Sequence, residues 1–236
     1  MSATPYDAES FQTTRWTRVG LAKESSEDGR RALADLCAAY YEPVVVFLRC
    51  ELRDADAARD MSHAFFEQML GGGRIQSADQ SRGRFRSYLL GAVKHFAAHE
   101  RQSAARQKRG GGLEPASLDE ATATPDNGLS PDQAFERQWA LTVLARAMDA
   151  LETECATAGR ANFFNAVKPL LTGDADHGEQ STIAETCGMN VAALRMAVHR
   201  LRRRLRDFVK TEIAGTLEDP AMVQEEMEAL FAALGG

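Results

Sequence analysis

The segment from residue 194 to residue 208 constrains the fold most strongly, because its apolar residues recur at alternating steps of four and three. This spacing places them in one stripe along an α-helix. The stripe consists of Leu194, Val198, Leu201, Leu205 and Phe208. Similar steps recur in the segments 33–48, 58–69, 85–96 and 135–151. Strand signals are scarce, since the β-branched run VVVF continues a helical pattern. We therefore predict an all-α fold.

A change of composition divides this helical pattern into two parts. Residues 110–133 are rich in glycine and proline, are mostly acidic and show little apolar periodicity, which is typical of a solvated, flexible linker. We predict one helical domain over 29–109 and a second over 134–210. An N-terminal tail, 1–28, precedes them, and a C-terminal helical extension, 211–236, follows them.

Two strongly basic segments lie in a chain whose formal net charge is -6. Residues 82–109 hold eight lysines and arginines against one acid, and residues 195–210 hold seven against one. Solubility does not require such clusters, and concentrated positive charge favours a polyanion as partner. The alternative is that these charges form only a solvated helix surface.

Several classes of protein do not fit the sequence. No apolar run approaches the ~18 residues of a membrane span, and the N-terminus lacks the basic flank and apolar run of a signal peptide. The four cysteines are widely spaced and form no CxxC pair, so we predict reduced thiols, a cytoplasmic location and no metal site. The sequence shows no arrangement of nucleophile, base and orienting residue. We expect neither an enzyme nor a cofactor.

The sequence STIAETCGMNVAALRMAVHRLRRRLRDF, which starts at residue 181, has the pattern of a helix-turn-helix. Gly188 permits a left-handed turn between two helices, and Asn190 is well suited to cap the second. A helix of this kind fits the major groove of duplex DNA, with its N-terminal residues near base edges and later residues near phosphates.

Helical periodicity assigns roles on this second helix. We predict that one face, opposite the apolar stripe, carries Arg195, His199, Arg202 and Arg206, and that Met196, Arg200 and Arg203 lie at its flank. Base reading is expected from Arg195, Met196 and His199, and phosphate anchoring from Arg202, Arg203 and Arg206.

The other basic segment combines aromatic residues with cations. Tyr88 lies among arginines, a lysine and histidines, and such a mixture suits unstacked bases beside a phosphate backbone. The alternative is that the aromatic residues are core and the cations are surface. By their spacing we expect Phe85 and Phe96 in the core, and for Tyr88 both interpretations stay open.

The ordered set DADAARDMSHAFFEQML, GRFRSYLLGAVKHFAAHERQSAARQKR and TIAETCGMNVAALRMAVHRLRRRLRDFV resembles the extracytoplasmic-function sigma factors of bacterial RNA polymerase. The opening FQTTRW and the C-terminal tail resemble a branch of that family, so the resemblance covers nearly the whole chain. It implies two small domains, similar to sigma regions 2 and 4, with a flexible linker between them. It also implies binding to core RNA polymerase, through its clamp and flap, and to promoter DNA.

The resemblance also implies residue roles. The clamp-binding helix corresponds to Asp56, Asp60, Phe66 and Glu67. The segment that reads the −10 element corresponds to Tyr88, Lys94, His95, Arg101, Arg106, Lys108 and Arg109. The helix that reads the −35 element corresponds to Asn190, Arg195, Met196, His199, Arg200, Arg202 and Arg203.

The chain departs from the family pattern at three places. His63-Ala64 stands where the family usually has Gln-Glu, Tyr88 stands where tryptophan is common, and His95 stands where asparagine is common. These departures affect the clamp contact and the −10 preference.

Other interpretations stay open at this stage. A free-standing helix-turn-helix regulator could use its N-terminal domain for sensing or dimerisation, and an interaction module could keep the sigma shape without reading DNA. For the C-terminal extension we expect a helix that packs on the second domain. The alternative is a docking helix for an anti-sigma factor or another regulator.

Overall fold

The computed structural model describes residues 15–24, 26–71, 84–110, 128–173, 177–214, 217 and 220–235. All regular structure in these ranges is helical, which confirms the predicted all-α class. Within the same ranges, no helix is long and apolar enough to cross a membrane. Most of the predicted linker lies outside the described residues.

Ten α-helices are present in the described part of the chain. They are α1 (Arg15–Ala22), α2 (Glu27–Leu52), α3 (Ala55–Gly71), α4 (Phe85–Gly110), α5 (Pro131–Thr157), α6 (Ala161–Val167), α7 (Pro169–Thr172), α8 (His177–Thr186), α9 (Val191–Ala214) and α10 (Val223–Leu234). A 3₁₀ turn, Pro220–Met222, precedes α10. The helical spans predicted around 33–48, 58–69, 85–96 and 135–151 lie within α2, α3, α4 and α5 respectively.

The helices form two compact units. The first comprises the described residues up to Thr142 together with those from Ala214 onward, and the second runs from Val143 to Ile213. The division therefore falls inside α5, about two and a half turns after the end of the predicted linker at residue 133. Helix α5 itself begins at Pro131, so the last three residues of the predicted linker are helical.

The first unit is organised around the long helix α2. Ser26 caps its start, where the Ser26 side chain accepts a hydrogen bond of 2.9 Å from the Gly29 amide, and Glu27 and Asp28 favour the positive end of the helix dipole. Large side chains from α2, α3 and α4 are fully buried in this unit, namely Tyr40, Phe47, Leu48, Phe65, Phe85 and Leu89. Aromatic rings meet edge to face in this core, as Tyr40 and Phe85 do at 5.3 Å.

Two helices of the first unit differ from the sequence predictions. Residues 15–22 were assigned to a tail, but they form α1, which packs on α2 and buries Val19. The C-terminal extension is helical as predicted, but α10 belongs to the first unit. The expectation that it packs on the second domain is therefore wrong, and the reason is a set of ion pairs between α10 and α4.

The second unit contains the remainder of α5 with α6, α7, α8 and nearly all of α9. Helix α9 buries one stripe of apolar residues, consisting of Leu194, Val198, Leu201, Leu205, Val209 and Ile213. Four of these six residues were predicted. Phe208, the predicted fifth, is half-buried, and the guanidinium of Arg204 covers its ring at 4.4 Å.

Candidate nucleic-acid interface

The turn between α8 and α9 has the geometry that a helix-turn-helix requires. Gly188 has a φ of 65°, in the left-handed region. Its amide donates to the carbonyl of Glu185, and the Met189 amide donates to the carbonyl of Ala184, both at 3.0 Å. This pair of bonds closes the end of α8 in the manner of a Schellman motif, which glycine favours because it has no Cβ. The predicted role of Gly188 is confirmed.

Asn190 starts α9 as predicted. Its side-chain oxygen accepts a hydrogen bond of 2.8 Å from the Ala193 amide, and its carbonyl accepts one of 3.0 Å from Leu194. A cap of this kind satisfies an amide that has no partner within the helix. The capped end and the glycine turn together fix where the exposed face of α9 begins.

Two arginines of α9 hold the second unit together. Arg202 donates from Nη2 to the carbonyl oxygens of Leu170 and Gly173, both at 2.8 Å, and from Nε to Leu170 at 3.1 Å. It thereby caps the carbonyl end of α7. Arg204 pairs with Glu154 of α5 at 2.5 Å, and this hydrogen bond raises the pKa of the Arg204 guanidinium.

Three other arginines of α9 are exposed and have no such contacts. Arg200, Arg203 and Arg206 have no ion-pair or hydrogen-bond partner among the described residues. Met196, near the start of the same helix, is 59% exposed. Met196, Arg200 and Arg203 lie within roughly 60° of each other on the helix, opposite the buried stripe. Their predicted place at the flank is therefore wrong. The flank is occupied by the residues that were predicted opposite the stripe, namely Arg195, His199, Arg202 and Arg206.

Two of the three predicted base-reading residues lie close to a predicted anchoring residue. Arg195, His199 and Arg202 line one shallow cavity of about 260 Å³ beside α9. Arg195 donates to the side-chain oxygen of Gln180 on α8 at 2.9 Å. Contacts within the unit therefore hold Arg195 and Arg202 in place, whereas Arg200 and Arg203 extend into solvent.

Helix α4 uses its cations differently. Lys94 pairs with Asp132 of α5 at 2.5 Å, and Arg101 pairs with Glu51 of α2 at 2.9 Å. Both residues belong to the predicted −10 set. Their charges are matched by acids of the same unit, which reduces the positive potential of this part of α4.

A second face of α4 brings together three other members of that set. Tyr88, His95 and Arg106 lie within roughly 20° of each other around the helix, and roughly 120° from Lys94. His95 and Arg106 are exposed, and Tyr88 is half-buried against Phe85. The side chains of Lys108 and Arg109, the last two members of the set, lie outside the described residues.

Arg86 was not predicted as a structural residue, yet it is the most buried of the α4 arginines whose side chains the structure describes. It is 5% exposed, and Glu226 of α10, at 0%, pairs with it at 3.0 Å. Glu136 of α5 makes a second ion pair with the same guanidinium, which lies 4.0 Å above the ring of Trp139. Burial lowers the pKa of Arg86, although Glu226 acts in the opposite direction. A helical wheel places Arg86 beside the apolar stripe of α4, and this position in the sequence could have indicated that Arg86 is buried.

Arg84, just before α4, joins the same cluster. Its guanidinium is 2.5 Å from Glu225 and 3.0 Å from Glu226. The chain's own acids therefore hold Arg84 and Arg86, which the sequence placed among the cations of the basic segment.

Helix α3 carries the predicted polymerase-binding residues. Asp56, Asp60 and Glu67 are exposed and lie within roughly 40° of each other around the helix. Phe66 differs from them, because it is 6% exposed and packs against Phe65. Phe66 was predicted on the contact surface of α3, but the structure places it in the core.

His63 lies on the acidic face of α3. Its Nε2 is 2.8 Å from the hydroxyl of Tyr41, and the two rings stack with centroids 5.6 Å apart. His63 thus forms an aromatic pair with a residue of α2.

Comparison of the chain with family models, with curated proteins and with solved structures gave no match.

Proposed function

We propose that this protein is a sigma factor of the extracytoplasmic-function type, which binds core RNA polymerase and directs it to promoters. The observation that carries the proposal is the helix-turn-helix of the second unit. Gly188 closes α8, Asn190 caps α9, and α9 then presents exposed arginines without partners among the described residues. This is the arrangement that places a helix in the major groove.

The first unit supplies the second part of the proposal. The face of α4 with Tyr88, His95 and Arg106 offers one aromatic ring and one permanent cation to the melting −10 element. The acidic face of α3, with Asp56, Asp60 and Glu67, is the proposed contact with the polymerase clamp. The family resemblance supports these assignments, and the exposure of the side chains is compatible with them.

A free-standing DNA-binding regulator is the second candidate function. One observation favours it, namely that acids of the first unit neutralise Lys94, Arg101, Arg84 and Arg86. A regulator needs only the second unit for DNA, so its first unit would carry no nucleic-acid surface.

Reconstitution with core RNA polymerase separates the two candidates. We expect the purified chain to co-elute with core polymerase and to start transcripts from a subset of promoters in a genomic fragment library. The double variant R200Q/R203Q should still co-elute with core polymerase, because the proposed clamp contact on α3 is unaltered. It should lose promoter-directed transcripts, because both substitutions lie on the proposed DNA-binding face of α9. R204Q is the matched control, since Arg204 is adjacent and already paired with Glu154.

The outcomes of this experiment are distinct. A chain that binds duplex DNA tightly but never co-elutes with polymerase would be the free-standing regulator. A chain that co-elutes and starts no transcripts on any fragment would contradict the sigma-factor proposal.

A further inference from the structure

Arg86 is a shared anchor for two segments that are far apart in the sequence. Its guanidinium pairs with Glu136, in the second turn of α5, and with Glu226, in the first turn of α10. The two carboxylates belong to segments 90 residues apart. Both segments therefore share one positive charge of α4, and Arg84 adds a second charge that pairs with α10 alone.

The anchor is buried together with its partner on α10. Arg86 is 5% exposed and Glu226 is 0% exposed. Among the described residues, Arg86 Nε and Trp139 Nε1 have no hydrogen-bond partner. A buried charge with unsatisfied donors is costly, so its remaining partners matter more than the same groups would at a surface.

The position of one carboxylate affects the binding of the other. If α10 leaves α4, Arg86 loses Glu226, water reaches the cluster, and the pairing with Glu136 becomes a partly solvated one. Electrostatic interactions weaken as the surroundings become more polar. The reverse holds if the start of α5 leaves, because coupling between two binding events is reciprocal.

We propose that α10 and the first three turns of α5 dock on α4 cooperatively through Arg86, so that removal of α10 by a partner releases the start of α5. The C-terminal helix is then a latch within the first unit, and the segment it controls begins with the last three residues of the predicted linker. This inference does not rest on the proposed function, since it concerns only contacts within the first unit.

Hydrogen exchange of the full-length chain tests the latch. In the variant Glu226→Gln we expect amide exchange to become about tenfold faster in residues 223–234 and also in residues 131–142. An effect of about tenfold is typical of the coupling between groups in one hydrogen-bonding network. Glu228→Gln is the matched control, because Glu228 is exposed on α10 and its side chain accepts a hydrogen bond from Gln224. It removes the same charge and should leave residues 131–142 unchanged.

Substitution of the other carboxylate, Glu136, keeps the test decisive if the variant Glu226→Gln does not fold. Glu136 is 29% exposed, so Glu136→Gln disturbs the core less, and it should make exchange faster in residues 223–234. Exchange in α2 is the internal reference and should stay constant. The proposal is overturned if either substitution affects only its own segment, or if α2 exchanges faster to the same extent as the two segments.

Discussion

Helix α4 directs most of its described cations into the first unit, whereas helix α9 leaves three arginines exposed to solvent in the second. Lys94, Arg101 and Arg86 each pair with an acid from another helix. Arg200 and Arg203, with Arg206, have no partner among the residues that the structure describes. Charge density therefore does not by itself identify a binding surface. The distribution of acids on neighbouring helices decides which arginines stabilise the fold and which remain available to a ligand.

The largest expected effect is on the stability of the first unit. Arg86→Met keeps an apolar side chain over Trp139 but leaves the buried Glu226 with Arg84 as its remaining partner. Removing one member of a buried ion pair costs about 3–5 kcal/mol, and the pairing with Arg84 places the expected loss at the lower end of that range. Arg203→Met is the matched control on α9, where an exposed residue without partners should change the free energy of unfolding by no more than about 0.5 kcal/mol. Urea denaturation measures both. Equal losses of unfolding free energy in the two variants would show that Arg86 and Arg203 contribute alike to stability, against the contrast drawn between α4 and α9.

The next effect concerns the affinity for duplex DNA. R200Q/R203Q removes two exposed charges, so the slope of log affinity against log salt should become shallower by about 1.8, the value for two released phosphate contacts. K94Q/R101Q is the matched double variant on α4, and it should change the slope by less than about 0.9. Fluorescence anisotropy with a labelled duplex over a salt series measures these slopes. A larger change in K94Q/R101Q would reverse the assignment of the two helices.

A smaller effect is expected at the structural arginines of α9. Arg202→Ala removes three hydrogen bonds to the carbonyl end of α7, and we expect a loss of about 1–2 kcal/mol in unfolding free energy, because these bonds involve a charged but partly exposed donor. Arg204→Ala removes an exposed ion pair and should cost about 0–1 kcal/mol. Chemical denaturation of each variant checks the order. If Arg202→Ala has no effect, the contacts with Leu170 and Gly173 do not stabilise the second unit.

Another small effect is expected at the start of α9. Asn190→Ala removes the cap on the Ala193 amide and should lower stability by about 1 kcal/mol. Asn190→Asp keeps an oxygen acceptor at the positive end of the helix dipole and should retain most of the stability. Thermal unfolding followed by circular dichroism compares the two variants. Identical losses would show that the side chain at position 190 does not act as a cap.

Local patterns predicted much of this structure. The steps of three and four residues indicated the helical spans later occupied by α2, α3, α4, α5 and α9, because burial of one helix face determines where apolar residues can stand. The turn at Gly188 and the cap at Asn190 were also predictable, since both depend on a few adjacent residues. The roles of the exposed residues of α9 and α3 in binding stay predictions.

Contacts between distant segments were not predictable in the same way. The sequence shows that Arg86 and Glu226 have opposite charges, but nothing in a spacing pattern indicates that residues 140 positions apart meet. The same limit explains why α10 was expected on the wrong domain. A smaller difference concerns the segment 135–151, whose helical steps in the sequence include Leu144. The structure buries Val143 and Ala147 and leaves Leu144 half-buried.

The position of Trp139 offers a practical consequence for experiments on this protein. The chain has two tryptophans, so Trp16→Phe would leave one indole, and that indole lies directly beneath the Arg86 guanidinium at 4.0 Å. Indole emission responds to nearby charge and to water. The intrinsic fluorescence of this single-tryptophan variant would therefore follow movements of the C-terminal helix in real time and without any attached dye.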